Sequence, residues 1–405
     1  TLWHTLSLHD ALPISSGTEN PKLDTGSVEV VVSAAEVLND CPTPPFYINE
    51  DVDVDENLIL DYRYLYLRRP RMQANIALRH RMVKAIRDFL DKERFLEIET
   101  PILIKSTPEG ARDYLVPSRV NPGKFYALPQ SPQQLKQILM VAGFERYFQI
   151  AKCFRDEDLR ADRQPEFTQL DLEMSFAAEE DILDLMERLT VEIMRQVRSD
   201  ASFKQPFPRL TYAESMASYG TDKPDLRYGM TIKDIGDIAS ATGFGIFQST
   251  LAAGGVVRGI CVPGLAGYSK TQLNELIERA TSAGAKGLIT VQVENVADCD
   301  SVRSVLSKHM ESGQMRDMLA RFQAQSGDLI LIVADAEAVV CKVLDSLRRE
   351  MASRLGLASP SEFSYAFVLG FPLFEWNAEA NRWDSMHHPF TAPREEDMAL
   401  LDTAP

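Results

Sequence analysis

Polar and apolar residues alternate without a break along residues 169–176. The polar face of the predicted strand carries Gln169, Asp171, Glu173 and Ser175, and the apolar face carries Leu170, Leu172, Met174 and Phe176. The charged residues 155–164 predict a loop that joins this strand to an antiparallel partner ending near Arg155. A solvated face would usually carry Thr, Lys or Ser, so this face indicates chemistry, with an ordinary solvated face as the alternative.

Helical periodicity is clear over residues 72–91. The apolar positions of this segment share one stripe and are Leu78, Met82, Ala85, Ile86 and Phe89. Residues 97–103 then predict a strand that Pro101 interrupts. Proline cannot donate to a ladder, so Pro101 belongs on a sheet edge or where the strand meets another chain. A plain edge strand fits that rule equally well.

The chain next predicts a loop over residues 105–113 and a helix that starts at Ser131. The loop is charged and contains Pro and Gly, which is typical of a mobile lid or of an ordinary surface loop. Ser131 is the expected N-cap, Pro132 takes the first helical position, and Gln133 and Lys136 share a face. Such a helix start can hold an anionic ligand, although most bind only water.

Residues beyond 230 are rich in Gly and Ala and predict an inserted α+β module with few candidate catalytic groups. Its predicted strands are 254–260, 285–291 and 327–335, and its predicted helices are 270–280 and 336–355. A helix is also expected over 181–198, a hydrophobic strand over 365–374, and a strand over 26–33. Residues 1–14 lack the pattern of a signal peptide and fit nothing downstream, so they read as a non-native leader or scar.

Length, charge and cysteine usage limit the kind of protein that this chain can be. A chain of 405 residues is expected to contain more than one domain. Its net charge of −16 argues against indiscriminate binding to phosphate backbones, so any nucleic-acid contact must be local. The five cysteines stand alone, which is typical of a reduced, cytoplasmic protein, and no run of about 18 apolar residues could span a membrane.

These features together resemble the bacterial-type aspartyl-tRNA synthetases, a family of class II aminoacyl-tRNA synthetases. The resemblance runs from about residue 16 to residue 405. It is specific in the helix that leads to Pro101, in residues 130–137, in residues 154–176, and in residues 371–375 with 387–390. The inserted module is similar to the GAD domain that marks the bacterial form.

The resemblance implies an α+β fold, in which an antiparallel sheet is flanked by helices. It implies a remnant of an anticodon-binding OB barrel at 15–40 and a linker at 41–67. The catalytic domain would occupy 68–235 and 351–405, on either side of a GAD-like insertion at 236–350. A homodimer is expected through the first motif's helix and Pro101.

The implied reaction activates L-aspartate with ATP to aspartyl-adenylate and transfers it to tRNA(Asp), with tRNA(Asn) left open as a second acceptor. Mg²⁺ is the expected cofactor beside ATP. Its acidic ligand, the glycine-rich third motif and an arginine for aspartate's carboxylate are expected beyond Pro405. We therefore expect a truncated copy, inactive by itself in aspartate-dependent pyrophosphate exchange.

The resemblance also assigns site residues. Arg155 would contact the α-phosphate of ATP as the catalytic group, with Asp156, Glu157 and Gln164 on the nucleotide. The expected aspartate ligands are Glu109, Ser131, Gln133, Lys136, Arg155, Asp171, His387 and His388. Among these, Glu109, Gln133 and Asp171 would hold the ammonium group and Lys136 the side-chain carboxylate. Which histidine touches aspartate stays open, and without the resemblance a His pair before Pro is more often structural.

Three other interpretations are compatible with parts of this pattern. Asparaginyl- and lysyl-tRNA synthetases share the first two motifs but are not expected to carry the GAD-like insertion. A non-catalytic paralogue or regulatory binding module would be expected to lose its charged pocket residues, whereas Lys136, Arg155 and Asp171 are present. A tRNA-independent amide-forming ligase would lack both the barrel remnant and the insertion.

Overall fold

The computed structural model describes residues 11–13, 19–21, 25–30, 34, 36, 38–40, 42–49, 53–107, 109–158, 163–377, 380–387, 391–401 and 403. None of the helices within these ranges is long and apolar enough to cross a membrane. The chain divides into two compact units, residues 1–81 and residues 82–405.

The helices alternate with the strands along most of the chain. The α-helices are α1 (Glu56–Asp61), α2 (Arg63–Tyr66), α3 (Pro70–Lys92), α4 (Gln133–Val141), α5 (Glu179–Val197), α6 (Tyr212–Tyr219), α7 (Gly236–Ser240), α8 (Gly245–Ala252), α9 (Lys270–Ser282), α10 (Ser312–Arg321) and α11 (Glu337–Arg354). Short 3₁₀ helices occupy Cys299–Ser301, Val305–Lys308 and Glu395–Leu400.

Most of the strands have two to five residues, and the longest four have seven or nine. They are β1 (Ala11–Pro13), β2 (Val28–Val30), β3 (Leu96–Glu97), β4 (Leu115–Pro117), β5 (Phe125–Ala127), β6 (Arg146–Phe154), β7 (Glu166–Met174), β8 (Arg209–Thr211), β9 (Lys233–Asp234), β10 (Val256–Val262), β11 (Ile289–Val293), β12 (Val302–Arg303), β13 (Leu329–Asp335), β14 (Phe367–Leu369), β15 (Phe374–Asn377) and β16 (Arg382–Ser385).

The first unit contains a small antiparallel pair and a buried arginine. Strand β2 lies inside the strand predicted at 26–33, of which residues 31–33 lie outside the described residues. Its partner β1 belongs to residues 1–14, and the interpretation of that segment as a non-native leader stays a prediction. The Arg69 guanidinium lies 5.5 Å from the centre of the Phe46 ring and 5.3 Å from that of Tyr66. Cation–π contacts therefore help to hold this unit together.

The second unit holds the sheet β3-β6-β7. Strands β6 and β7 pair antiparallel over nine residues each, and β3 adds to β6 in parallel. The apolar side of β7 packs with Phe148 and with residues of α3 and α5, including Leu90 and Leu189. The two-faced strand predicted from the alternation is therefore confirmed over Gln169–Met174.

Three predicted strand boundaries are wrong. Strand β7 ends at Met174, and Phe176 is 95% exposed with a φ of 59° rather than part of the apolar face. Strand β3 ends at Glu97, so only the first residue of the strand expected at 97–103 is in a strand, and Pro101 lies in an exposed loop. The strand expected at 365–374 is broken after Leu369, because Gly370 adopts a φ of 68° and leads into Pro372.

A second, five-stranded sheet lies between two layers of helices. Its order is β12-β11-β13-β10-β9, and every neighbouring pair is antiparallel. Leu331 of β13 packs with α9 and α11 on one side, while Ile330 packs with α7, α8 and α10 on the other. Gly259 of β10 is needed where the strands approach closely, because a Cβ there would lie 2.5 Å from the Leu331 carbonyl oxygen. The predicted α+β fold with an antiparallel sheet and flanking helices is confirmed.

Candidate active site

The polar face of strands β6 and β7 brings together side chains from both strands. Cys153 donates to Gln169 Oε1 at 3.3 Å, and Gln149 lies directly opposite Asp171 in the strand register. Gln149 Oε1 also accepts hydrogen bonds of 2.9 Å from the Tyr147 hydroxyl and from Thr100 Oγ1. One row of polar groups thus crosses the sheet on the face that the sequence predicts to carry chemistry.

Lys136 is the fixed cation of this face. Helix α4 places its Nζ 2.9 Å from Asp171 Oδ1 and 3.2 Å from Glu173 Oε2. Lys136 and Asp171 are only 8% and 5% exposed, so water screens their attraction poorly. Burial raises the pKa of Asp171, and the Lys136 ammonium opposes that effect without cancelling it.

This pairing brings together two residues that were expected to bind different groups of the substrate. Lys136 was expected to hold a substrate carboxylate and Asp171 a substrate ammonium group, and both roles stay a prediction beside their contact with each other. Asp171 Oδ2 is buried and accepts no hydrogen bond from the described residues. One cation and two carboxylates leave the cluster with one net negative charge, and Lys136 is held in position by both acids.

Glu109 and Ser131 meet at the edge of this cluster. Ser131 Oγ donates to Glu109 Oε2 at 2.7 Å, and Thr107 Oγ1 donates to Glu109 Oε1 at 2.9 Å. The Glu109 charge contributes to the raised pKa of Asp171, which indicates that it lies close to the polar face. The loop and the helix start therefore supply one carboxylate and one hydroxyl side by side.

The expected N-cap is wrong by one residue. Helix α4 begins at Gln133, and Pro132 occupies the cap position without a side-chain cap. Ser131 Oγ still accepts a hydrogen bond from the Gln133 backbone N–H at 3.3 Å. The hydroxyl is shared with Glu109, and this ties the start of the helix to the loop.

Arg155 follows the last residue of β6. Its guanidinium lies 5.1 Å from the centre of the Phe167 ring, and its backbone N–H donates to Pro165 at 2.9 Å. The guanidinium counteracts the burial that raises the pKa of Cys153, which indicates that it lies near the polar face. Within the described residues no carboxylate forms an ion pair with Arg155, so its planar donors can face a ligand.

The other predicted nucleotide residues, Asp156, Glu157 and Gln164, are exposed and lie between β6 and β7 in the chain. Asp156 donates its backbone N–H to the Arg112 carbonyl at 3.0 Å, and Glu157 accepts from Arg163 at 3.4 Å. Gln164 is exposed next to the start of β7. These residues lie near Arg155 in the chain, and their contacts with a nucleotide stay a prediction.

The structure does not bring His387 to the Lys136 cluster. His387 contacts the Phe371 ring edge-on at 5.7 Å and lines a cleft of about 650 Å³ together with Arg394. No contact among the described residues joins it to Lys136, Asp171 or Glu109. His388 lies outside the described residues. An aspartate contact from either histidine stays a prediction.

Several residues that lie at the site were not predicted from the sequence to bind a ligand. Glu173 was placed on the polar face but not in the site, although its spacing from Asp171 by two residues was a usable signal. Tyr147 and Gln149 carry the same period-2 signal on β6. Thr100 and Gln130 approach from other segments, and no local pattern marks them.

The buried thiol of Cys153 offers a direct test of this geometry. Burial, aided by Asp171 and Glu109, raises its pKa from 9.0 to about 11. We expect iodoacetamide at pH 8 to alkylate Cys153 about a hundredfold more slowly than the unfolded thiol, because each pKa unit removes about nine tenths of the thiolate. The rate should rise with pH up to about 11.

Peptide mass spectrometry over time, in buffer and in urea, measures this protection. Cys299 is only partly buried and serves as an internal reference. Equal native and urea rates for Cys153 would contradict the buried placement of the thiol.

Among the residues that the structure describes, no group of three or more His, Cys, Asp or Glu side chains could hold a metal ion. A fixed ammonium group, acidic acceptors and a free guanidinium suit a small ligand that carries both an amine and a negative charge.

Comparisons with known proteins match most of the chain. The family described as "tRNA synthetases class II (D, K and N)" matches residues 55–404. The "Aspartate--tRNA(Asp/Asn) ligase" of Dehalococcoides mccartyi strain CBDB1 is 54% identical over 396 residues, which cover 96% of this chain and 66% of that protein. The same-named protein of Moorella thermoacetica is 54% identical over 389 residues, covering 96% and 64%. The chain thus spans about two thirds of the length of these relatives.

Among solved structures, the chain is similar to asparaginyl-tRNA synthetase from Pyrococcus horikoshii complexed with asparaginyl-adenylate. That match has a TM-score of 0.41 and 19% identity, and it covers 79% of this chain and 76% of the other.

Proposed function

Because this chain belongs to the class II tRNA synthetases (D, K and N), we propose that it belongs to an enzyme that activates L-aspartate with ATP and transfers it to tRNA(Asp). The observation that carries this proposal is the Lys136 ammonium, held between Asp171 and Glu173 on the polar face of the sheet. The names of the curated relatives support aspartate as the amino acid.

The Lys136 ammonium favours aspartate over lysine through direct hydrogen bonding. Its two acidic partners leave the cluster with one net negative charge, so the preference does not rest on the net charge. A carboxylate side chain can accept a hydrogen bond from Lys136, whereas a second ammonium group can only donate. Glu109, with its neighbour Ser131, provides an acceptor for the α-ammonium group. Asparagine is neutral and can bind Lys136 only as a weaker dipole.

In this proposal Arg155 stabilises the transition state of aspartate activation. The α-carboxylate oxygen of aspartate attacks the α-phosphorus of ATP, a new O–P bond forms, and pyrophosphate leaves with the electrons of the broken P–O bond. The guanidinium offers two parallel N–H donors to the oxygens on which charge accumulates. In the second step a ribose hydroxyl of tRNA attacks the acyl carbon, and AMP leaves.

The remaining assignments belong to the same proposal. Asp156, Glu157 and Gln164 are proposed to contact ATP, and Gln133 and one of His387 and His388 the aspartate. Mg²⁺, a homodimer through Pro101 and a cytoplasmic location are proposed from the family resemblance. The separate sheet and the two helix layers of residues 233–354 support a GAD-like insertion near the expected 236–350. tRNA(Asn) is proposed as a second acceptor on the names of the relatives.

A binding experiment tests the choice of amino acid. We expect the chain to bind a non-hydrolysable aspartyl-adenylate analogue at least about tenfold more tightly than the asparaginyl analogue, and the lysyl analogue more weakly still. Calorimetric titration of the three analogues measures the order. A preference for the lysyl or asparaginyl analogue would contradict the proposal.

A further inference from the structure

Gln130 has a buried side-chain amide that is hydrogen-bonded to a loop 17 to 19 residues earlier in the chain. It is 2% exposed. Its Oε1 accepts a hydrogen bond from the Ala111 N–H at 3.0 Å, and its Nε2 donates to the Ala111 carbonyl at 2.8 Å and to Asp113 Oδ1 at 2.5 Å. The side chain thus binds both backbone groups of one loop residue, as a neighbouring strand would.

Asp113 extends this contact across the base of the loop. Its Oδ2 accepts a hydrogen bond from Ser106 Oγ at 2.5 Å, so the start and the end of residues 106–113 are joined. Gln130 holds Asp113 through the other oxygen of the same carboxylate. The closed base of the loop therefore depends on a buried group that lies outside the loop.

The bend at Gly110 directs Glu109 toward the site. Gly110 has a φ of 107°, a conformation that residues with a side chain rarely adopt. This bend separates Glu109, which accepts from Ser131, from Ala111, which binds Gln130. The adjacent residues Gln130 and Ser131 are therefore hydrogen-bonded to the loop on the two sides of the bend at Gly110.

The loop is also joined to the strand end that carries Arg155. Asp156 donates its N–H to the Arg112 carbonyl at 3.0 Å, and Arg112 Nε donates to the Asp156 carbonyl at 3.3 Å. The Arg112 side-chain contact is exposed, whereas the hydrogen bonds of Gln130 are partly buried and Gln130 itself is 2% exposed. Water competes less with the Gln130 contacts.

We propose that Gln130 is a positioning residue that holds loop 105–113 against the site, so that Glu109 presents its carboxylate to the ammonium group of the amino acid. Gln130 does not touch the substrate and acts through Ala111, Asp113 and Glu109. The identity of the ligand rests on the proposed function, while the holding of the loop does not.

Replacement Gln130→Met tests the holding of the loop, because it keeps the shape of the side chain and removes its donors and acceptor. We expect backbone amides in 105–113 to exchange with deuterium about tenfold faster or more, while those of β6 keep their protection. Gln134→Met is the matched control, since Gln134 is exposed four residues further on. Hydrogen exchange read by mass spectrometry measures both.

Unchanged exchange in 105–113 would overturn the proposal, as would an equal increase in β6, which would indicate general loosening. Should Gln130→Met fail to fold, Asp113→Ala opens the base of the loop and removes one contact of Gln130, while the two hydrogen bonds between Gln130 and Ala111 remain. The same local increase in exchange is expected.

A second measurement links the loop to the ligand. In Gln130→Met, affinity for the aspartyl-adenylate analogue should fall about tenfold while affinity for ATP changes less than about twofold. A faster-exchanging loop with unchanged analogue affinity would overturn the positioning role. If the unmodified chain binds no analogue, the proposed function and the ligand of Glu109 fail together, and the exchange result still decides whether Gln130 holds the loop.

Discussion

Replacing Lys136 with methionine is expected to lower the free energy of unfolding by about 3–5 kcal/mol at pH 7. Methionine fills a similar volume, so the main effect is electrostatic. Asp171 is 5% exposed and would lose the cation with which it is paired, while the Glu173 carboxylate stays close by. Removing one member of a buried pair leaves the other charge without compensation. Urea unfolding followed by circular dichroism measures the loss.

The loss should shrink as the pH falls. Burial already raises the pKa of Asp171 in the folded chain, and without Lys136 the pKa should rise further. A folded-state pKa above the unfolded value of about 4 means that protonation favours the folded state. The stabilisation that protonation of Asp171 contributes is complete below about pH 4 and is lost as the pH rises through the folded-state pKa. The Lys136→Met variant should therefore lose least stability in acid.

A surface pair on the neighbouring strand gives the matched control. Lys152 pairs with Glu166 at 3.0 Å, but their side chains are 53% and 57% exposed. Lys152→Met should therefore cost no more than about 1 kcal/mol. The double variant Lys136→Met with Asp171→Leu should recover much of the lost stability. If Lys136→Met costs no more than Lys152→Met, the buried pair is not formed as described.

The same cluster shows how far sequence reasoning reaches. The alternation along β7 predicted which side chains share a face, because a strand has a fixed period of two. Residues Lys136 and Asp171 were both selected for the site. Their contact with each other was not predicted, since it depends on how α4 docks onto β7 across 35 positions of sequence. Local periodicity contains no information about that docking.

The errors have the same origin. Phe176 was placed on the apolar face, but β7 loses its partner where β6 begins at Arg146, which the local pattern around Phe176 cannot reveal. Ser131 was read as a cap, but the distant Glu109 accepts a hydrogen bond from its hydroxyl. Gln130 was part of a stretch that carries the resemblance but was not selected for the site, because a single amide has no periodic signature. Ends of elements and buried polar contacts are set by partners remote in sequence.

Replacement Arg155→Lys is expected to lower kcat/KM for aspartate-dependent pyrophosphate exchange by about 30- to 1,000-fold, or about 2–4 kcal/mol of transition-state stabilisation. Lysine keeps the charge but loses the planar pair of donors, and it offers a poorer match to two phosphate oxygens. Because Arg155 forms no ion pair with any carboxylate of the described residues, little stability should be lost. The exchange rate is measured in a full-length version of the enzyme.

Arg146→Lys is the matched control for this prediction. Arg146 lies at the opposite end of β6, and its guanidinium is 5.7 Å from the centre of the Phe95 ring, much as that of Arg155 is 5.1 Å from Phe167. The two substitutions therefore remove similar ring contacts, and only one of them lies at the proposed phosphate position. Arg146→Lys should leave kcat/KM within about twofold. Equal losses in both variants would assign the effect to the ring contact, and an unchanged rate in Arg155→Lys would remove Arg155 from the mechanism.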